Sequence, residues 1–132
     1  MKTLRILFAD DNAAIHPFIH RILGPEFSIV ESVLDGQALV AATLAHNPEV
    51  LIVDISMPVM NGIEALHRLA SARPSAVVML TTHADAFLAE QALGAGALGY
   101  VLKGKAATDL VPAIHAALRG ERFISSSIDL SP

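Results

Sequence analysis

The chain has 132 residues, 53% of them hydrophobic and 17% charged, and a formal net charge of −4. This length and composition predict one compact domain with its own core and exclude a disordered acidic segment, and the negative charge argues against nucleic-acid binding by the chain itself. Because the chain has no cysteine, a disulfide, a thiol nucleophile and a cysteine-ligated zinc site are all excluded.

An apolar run near the N-terminus ends directly at two aspartates, Asp10 and Asp11. The run is too short for a signal peptide and is not followed by a cleavage site of small residues, so it predicts a first β-strand. Other apolar stretches stay below the about 20 residues that a membrane-spanning helix needs. A cytoplasmic location is therefore expected.

Short apolar runs alternate with helical patterns from one end of the chain to the other. The runs predict strands over residues 4–9, 28–33, 50–53, 76–80 and 100–102. The helical patterns predict helices over residues 13–23, 36–46, 61–72, 85–93 and 108–119. Asp35 and Asn61 are expected N-caps. Pro17 and Pro112 fall in predicted helices, where each removes a backbone hydrogen bond unless it lies in the first turn.

The predicted strands are unbroken rather than alternating apolar runs, which is typical of parallel strands covered on both faces. Five strand–helix units in this order predict a doubly wound α/β fold, flavodoxin-like, with a five-stranded parallel sheet in the order 2-1-3-4-5 and helices on both faces. Right-handed crossovers place the carboxyl ends of all strands along one edge, where such folds bind ligands.

Five polar side chains stand at the predicted strand ends on that edge: Asp10, Asp11, Asp54, Thr81 and Lys103. Strands one and three are neighbours in this fold, so the three carboxylates are expected to converge. At an effective dielectric near 20 each pair would repel by about 4 kcal/mol at 4 Å, so the cluster needs a cation or partial protonation. Oxygen ligands at a shallow edge suit Mg²⁺.

A structural explanation exists for each residue taken singly. Two aspartates after a strand often form a turn and a helix N-cap, and Asp54 could be an ordinary loop carboxylate. The addition of Thr81 and Lys103 at two further strand ends on the same edge argues against that explanation for the whole set.

Four segments resemble, in order, the motifs of the receiver domains of two-component response regulators. They are residues 6–12 (ILFADDN), 51–62 (LIVDISMPVMNG), 78–81 (VMLT) and 99–103 (GYVLK). The resemblance covers residues 3–125, and the four motifs with this spacing are specific in combination. It implies a signalling switch that is phosphorylated on an aspartate.

The resemblance implies that Asp54 is the phospho-acceptor and takes its phosphoryl group from a sensor histidine kinase or a phosphotransfer protein. It also implies a site for Mg²⁺ or Mn²⁺. The metal would be held directly by Asp11, through water by Asp10, and by Asp54 and the Ser56 backbone carbonyl.

In such domains the equivalents of Lys103 and Thr81 contact the phosphoryl oxygens. Drawing Thr81 inward would open a space for Tyr100, and this movement would remodel the surface of the fourth helix, fifth strand and fifth helix. Ser56 and His83 are expected to border the approach to Asp54 and to tune phosphorylation and hydrolysis. The alternative is that both are ordinary loop residues.

The last part of the chain, residues 118–126 (LRGERFISS), resembles the exit from receivers of the NarL/FixJ subgroup, whose members continue into a LuxR-type helix-turn-helix. Gly104 after Lys103, where many receivers have proline after a cis bond, also fits this subgroup. We expect a receiver domain over residues 1–122 and a C-terminal extension or linker over 123–132. DNA would be contacted only through an absent domain, and phosphorylation could produce a homodimer.

Three alternatives remain. The chain could be a stand-alone receiver that acts through protein–protein contacts, or a receiver that signals without phosphate. It could also be an aspartate-nucleophile phosphohydrolase, but such enzymes usually have a second acid two residues after the nucleophile, and Ser56 stands there. We therefore expect no enzyme activity beyond the chain's own phosphorylation and dephosphorylation. His16 and His20 have the spacing of a two-histidine metal face, but no third ligand is near.

Overall fold

A computed structural model describes residues 3–126 and residue 128. Within this part of the chain six parallel strands form one sheet in the order β2-β1-β3-β4-β5-β6. The strands are β1 (Leu4–Ala9), β2 (Phe27–Val33), β3 (Val50–Val53), β4 (Ala76–Thr81), β5 (Gly99–Leu102) and β6 (Phe123–Ile124). The predicted fold and the order of the first five strands are confirmed.

The predicted count of five strands is wrong, because β6 adds a sixth strand beside β5. This strand has only two residues, which is too short to produce a periodic pattern in the sequence. It is held by backbone bonds from the Phe123 N–H to the Leu98 carbonyl and from the Ser125 N–H to the Tyr100 carbonyl, each 3.0 Å long. Residues 127 and 129–132 of the expected extension lie outside the described residues.

The helices are α1 (His16–Leu23), α2 (Gly36–His46), α3 (Gly62–Leu69), α4 (Ala86–Gly94) and α5 (Ala106–Leu118). Helices α2, α3 and α4 cover one face of the sheet, and α1 and α5 cover the other. Both core clusters are apolar, and all four residues of β3 are fully buried between them. No helix among the described residues is long and apolar enough to cross a membrane.

Three of the helices begin after a residue whose side chain caps the first turn. Asp35, Asn61 and Asp85 cap α2, α3 and α4, and each side chain accepts the backbone N–H three residues further on. The predicted caps Asp35 and Asn61 are confirmed. Capping satisfies one of the free N–H groups at a helix start and contributes about 1 kcal/mol.

The two prolines have different consequences. The predicted helix over 13–23 begins as a 3-10 turn, Ala13–Ile15, because Pro17 has no N–H for the Ala13 carbonyl and the His16 N–H donates there instead. Pro17 then lies in the first turn of α1. In contrast, α5 begins two residues earlier than predicted, so Pro112 lies inside it. The Lys103–Gly104 peptide is trans, in a short 3-10 turn before α5.

Candidate functional site

Three carboxylates meet where β1 and β3 end. The strands are paired so that Ala9 lies beside Val53, and the Asp54 N–H donates to the Ala9 carbonyl at 2.9 Å. Asp10 and Asp54 follow these positions and are buried, whereas Asp11 is exposed. One oxygen from each of the three aspartates lies within 4.8 Å of the other two. The predicted convergence is therefore present.

Lys103, directly after β5, reaches into this cluster. Its ammonium donates to Asp54 Oδ2 at 3.1 Å and lies 2.8 Å from Asp10 Oδ2. Burial by itself lowers the pKa of Lys103, but its contacts with Asp10 and the charge of Asp54 outweigh that effect and raise the pKa above its usual value. Lys103 therefore stays charged and offsets part of the carboxylate repulsion.

The charge of the cluster is not fully compensated by one lysine. Burial raises the pKa of Asp54, the charge of Lys103 lowers it, and the charge of Asp10 raises it again, with a net shift upward. The ionised form of Asp54 is thus disfavoured in the protein alone. A further cation beside it would reverse this effect.

The two carboxylate oxygens of Asp10 have different partners. Its Oδ1 accepts the Asn12 N–H at 2.9 Å, and its backbone carbonyl lies 3.1 Å from His16 Nε2. Its Oδ2 is buried and lies 2.8 Å from the Lys103 ammonium. Three clustered carboxylates with a single ammonium beside them fit a hard divalent cation such as Mg²⁺.

Thr81 and Tyr100 lie on the neighbouring strands and are fully buried. Thr81 ends β4, and its Oγ1 accepts the His83 N–H at 3.2 Å. The Tyr100 hydroxyl donates to the His83 carbonyl at 2.8 Å. Burial, followed by the charges of Asp85 and Asp54, raises the pKa of Tyr100 to about 12.

The two residues expected to border the site contact each other. Ser56 Oγ lies 2.6 Å from His83 Nε2, which joins the loop after β3 to the loop after β4. Sequence reasoning placed both residues near Asp54 but missed this bond. Their positions in sequence, 27 apart, give no signal for it.

Gly62, the first residue of α3, allows this helix to approach the acceptor strand closely. A Cβ atom at this position would lie 2.1 Å from the Asp54 carbonyl oxygen. The Gly62 N–H instead donates to the Ile55 carbonyl at 2.8 Å. The second motif therefore ends in glycine because a larger residue would collide with the Asp54 backbone, and this reason was not evident from the sequence.

A parallel α/β sheet with a carboxylate cluster, a lysine and a threonine at the carboxyl ends of its strands is the arrangement of a signal receiver domain. The family model described as "Response regulator receiver domain" matches residues 6–115. The chain belongs to this family, whose members bind Mg²⁺ at an acidic pocket and interact with histidine kinases in two-component systems.

Curated relatives are longer than this chain. "Transcriptional regulatory protein PdtaR" of Mycobacterium tuberculosis is 37% identical over 123 residues, which cover 92% of this chain and 60% of that protein. A protein-glutamate methylesterase/protein-glutamine glutaminase of Haloarcula marismortui is 37% identical over 103 residues, covering 76% of this chain and 28% of that protein. Members of the family are generally not enzymes, but the match to part of this methylesterase/glutaminase shows that some relatives are enzymes.

Solved structures support the subgroup. A two-component response regulator of the LuxR family from Aurantimonas has a TM-score of 0.88 and 29% identity, with 96% of this chain and 93% of that chain covered. A structure described as two RcsB dimers bound to two parallel DNAs has a TM-score of 0.84 and 27% identity, with coverage of 96% and 66%. The similarity to the NarL/FixJ subgroup is confirmed.

Proposed function

We propose that this chain is a phospho-accepting receiver that takes a phosphoryl group on Asp54 from a phosphohistidine of a sensor kinase or phosphotransfer protein. The observation that carries the proposal is the position of Lys103, whose ammonium contacts both Asp10 and Asp54 at the edge of the sheet. The Lys103 charge favours the ionised, nucleophilic form of Asp54 and provides a binding point for an anionic phosphoryl group beside it.

The proposed reaction forms one bond and breaks one. An Asp54 carboxylate oxygen attacks the phosphorus, the phosphorus–nitrogen bond of the donor breaks, and the leaving imidazole takes up a proton. Lys103 would hold one phosphoryl oxygen as a point charge, and the Thr81 hydroxyl would donate to another. The product is an acyl phosphate on Asp54.

Asp10, Asp11 and Asp54 would hold Mg²⁺ or Mn²⁺, together with the Ser56 backbone carbonyl. When bound, the ion offsets the negative charge shared by the carboxylates and the incoming phosphoryl group. The support for this part of the proposal is the convergence of the three carboxylates, one oxygen of each lying within 4.8 Å of the other two.

The proposed response to phosphorylation involves Thr81 and Tyr100. Thr81 would turn its hydroxyl toward the phosphoryl group, and the surface formed by α4, β5 and α5 would change with Tyr100. Tyr100 already lies inward, with no exposed surface. In addition β6 lies along β5, so part of the expected partner surface is covered by residues 123–124.

Transcriptional output belongs to the same proposal. The chain spans about 60% of the relative PdtaR, and a LuxR-family regulator is among the similar structures. On this proposal residues 123–132 would lead into an effector domain of LuxR type, after a receiver over residues 1–122. Phosphorylation would favour a homodimer, and DNA would be contacted through the effector domain. The exchange with the kinase would take place in the cytoplasm. The alternative is a stand-alone receiver acting through protein–protein contacts.

A phosphohydrolase is a weaker candidate. Ser56 occupies the place of the second acid of aspartate-nucleophile hydrolases, and its side chain is bonded to His83. A hydroxyl in that position is a poor general acid and a poor general base at neutral pH, so both protonation of a leaving group and hydrolysis of the acyl phosphate would be slow. Beyond its own phosphorylation and dephosphorylation, we propose no enzyme activity.

One experiment separates the candidates. The protein is incubated with Mg²⁺ and a small acyl phosphate or phosphoramidate donor, and the intact mass is followed over time. A labile adduct of one phosphoryl group, lost in Asp54→Asn but kept in the exposed control Glu90→Gln, supports the receiver. Rapid multiple turnover would indicate the hydrolase, and absence of an adduct would indicate a receiver that works without phosphate.

A further inference from the structure

His83 is bonded to three residues of the site through three different atoms. Its Nε2 lies 2.6 Å from Ser56 Oγ, its N–H donates to Thr81 Oγ1 at 3.2 Å, and its carbonyl accepts the Tyr100 hydroxyl at 2.8 Å. The three partners lie on different segments, after β3, at the end of β4 and in β5. No other part of the proposed machinery joins these three segments through one residue.

The two backbone bonds of His83 depend on where the loop after β4 is held. The Thr81 bond is local, because it joins His83 to the end of β4 only two residues back, and it constrains only the first residues of the loop. The Ser56 bond ties the same loop to the segment that follows Asp54. The carbonyl that accepts the Tyr100 hydroxyl is therefore positioned from the β3 side.

We propose that the hydrogen bond between Ser56 and His83 is a latch that positions the His83 carbonyl and so holds Tyr100 inward before any phosphoryl group arrives. His83 is then a positioning residue of the switch, and it acts through Tyr100 rather than on phosphorus. The inference rests on the proposed function only where it treats Tyr100 as the switch residue.

The latch also bears on Thr81. While His83 donates to Thr81 Oγ1, the hydroxyl proton of Thr81 remains free to be given to a phosphoryl oxygen. With the Ser56–His83 bond in place, the loop therefore leaves the Thr81 hydroxyl proton free to donate and keeps Tyr100 inward. A hydrogen bond at the surface shifts such an equilibrium modestly, and we expect about a two- to tenfold change in the ratio of inward to outward Tyr100 when it is removed.

The chain offers a clean reporter, because Tyr100 is its only tyrosine. The full chain is labelled with 3-fluorotyrosine, and the fluorine spectrum and its response to a solvent paramagnetic agent are recorded without Mg²⁺ or donor. Ser56→Ala, His83→Ala and the double variant are compared with Thr82→Ala, an exposed neighbour in the same loop. Circular dichroism checks that each variant is folded.

The expected result is a greater solvent exposure of the label in Ser56→Ala, the same change in His83→Ala, and no further change in the double variant, since either substitution removes the same bond. Thr82→Ala should resemble the unsubstituted protein. An unchanged spectrum in Ser56→Ala, or effects of the two substitutions that add in the double variant, would overturn the latch.

The same samples are then given Mg²⁺ and the phosphoryl donor. If no adduct forms on Asp54 in the unsubstituted chain, the proposed function fails while the fluorine comparison still decides the latch. If the adduct forms normally but Tyr100 is indifferent to Ser56, the latch fails and the proposed function stands.

Discussion

At the scale of single residues, the electrostatics of the site are set by three carboxylates clustered beside one lysine. Asp54 is buried beside Asp10 with Lys103 as their shared cation, and burial leaves its pKa raised despite the lysine. A raised pKa in the folded state means that the folded protein binds a proton more tightly than the unfolded chain does. The ionised carboxylate therefore lowers stability above the raised pKa, and this loss disappears as the pH falls toward 3.8.

We predict from this that Asp54→Asn is more stable than the unsubstituted chain at pH 7 in metal-free buffer, because the amide is neutral at every pH. The difference should narrow as the pH approaches 4. Urea unfolding at several pH values measures it, with Glu90→Gln as the exposed control. A variant less stable than the parent at pH 7 would contradict the prediction.

Tyr100 gives a second prediction at this scale. Its pKa is raised from 10.0 to about 12, so the folded state keeps the phenol proton to higher pH than the unfolded chain. The contribution of Tyr100 to the free energy of unfolding is fully present below about pH 10. It falls by on the order of 2 kcal/mol as the pH rises from about 10 to about 12. Tyrosinate absorbance should show a midpoint near 12 in the folded protein and near 10 in denaturant. The Tyr100→Phe variant removes the signal, and a folded-state midpoint near 10 would show that the ring is hydrated.

At the scale of elements, two glycines form a matched pair. A Cβ on Gly62 would meet the Asp54 carbonyl oxygen at 2.1 Å, whereas a Cβ on Gly104 meets nothing within 4 Å. We predict that Gly62→Ala lowers the free energy of unfolding by about 1–3 kcal/mol, as overpacking does, and also impairs phosphorylation of Asp54. The Gly104→Ala variant should unfold like the parent. Chemical denaturation measures both, and equal stability of the two variants would contradict the steric argument.

The sixth strand supplies another matched pair. Ser125 is buried, donates from its hydroxyl to Asp109 Oδ2 at 2.8 Å and accepts the Leu102 N–H at 3.2 Å, whereas Ser126 is exposed. We predict that Ser125→Ala costs about 1–2 kcal/mol, because two half-buried partners lose their bonds to this buried hydroxyl. Ser126→Ala should stay within about 0.5 kcal/mol of the parent. Hydrogen exchange at the N–H groups of β6 should rise only in the Ser125 variant.

At the scale of the whole molecule, the proposed metal site in the carboxylate cluster would link metal binding to folding. A cation that binds the folded chain but not the unfolded one adds about 2.7 kcal/mol of stability at 100 times its dissociation constant. We predict that Mg²⁺ raises the melting temperature of the parent. The gain should be reduced in Asp11→Asn, which removes one carboxylate of the cluster, and kept in Glu90→Gln. A gain of equal size in both variants would place the metal elsewhere.

Most of the fold follows from local signals in the chain. Unbroken apolar runs and helix caps predict five strands and five helices, and their alternation predicts the order of the first five strands, because right-handed crossovers leave few other arrangements. The elements end within a few residues of their predicted positions. The exceptions have local causes, such as the 3-10 turn that Pro17 imposes and the positive φ of Ala70 that ends α3 early.

The sequence by itself determined which side chains stand at the carboxyl ends of the strands, because a run of apolar residues ends where its polar neighbour begins. Only the tertiary structure decided how these side chains pair. The contact of Lys103 with Asp10, the Ser56–His83 bond and the inward Tyr100 all depend on the register of neighbouring strands and on loop paths, which no local pattern encodes. The same reason explains β6, whose two residues form a strand only because β5 has a free edge beside them.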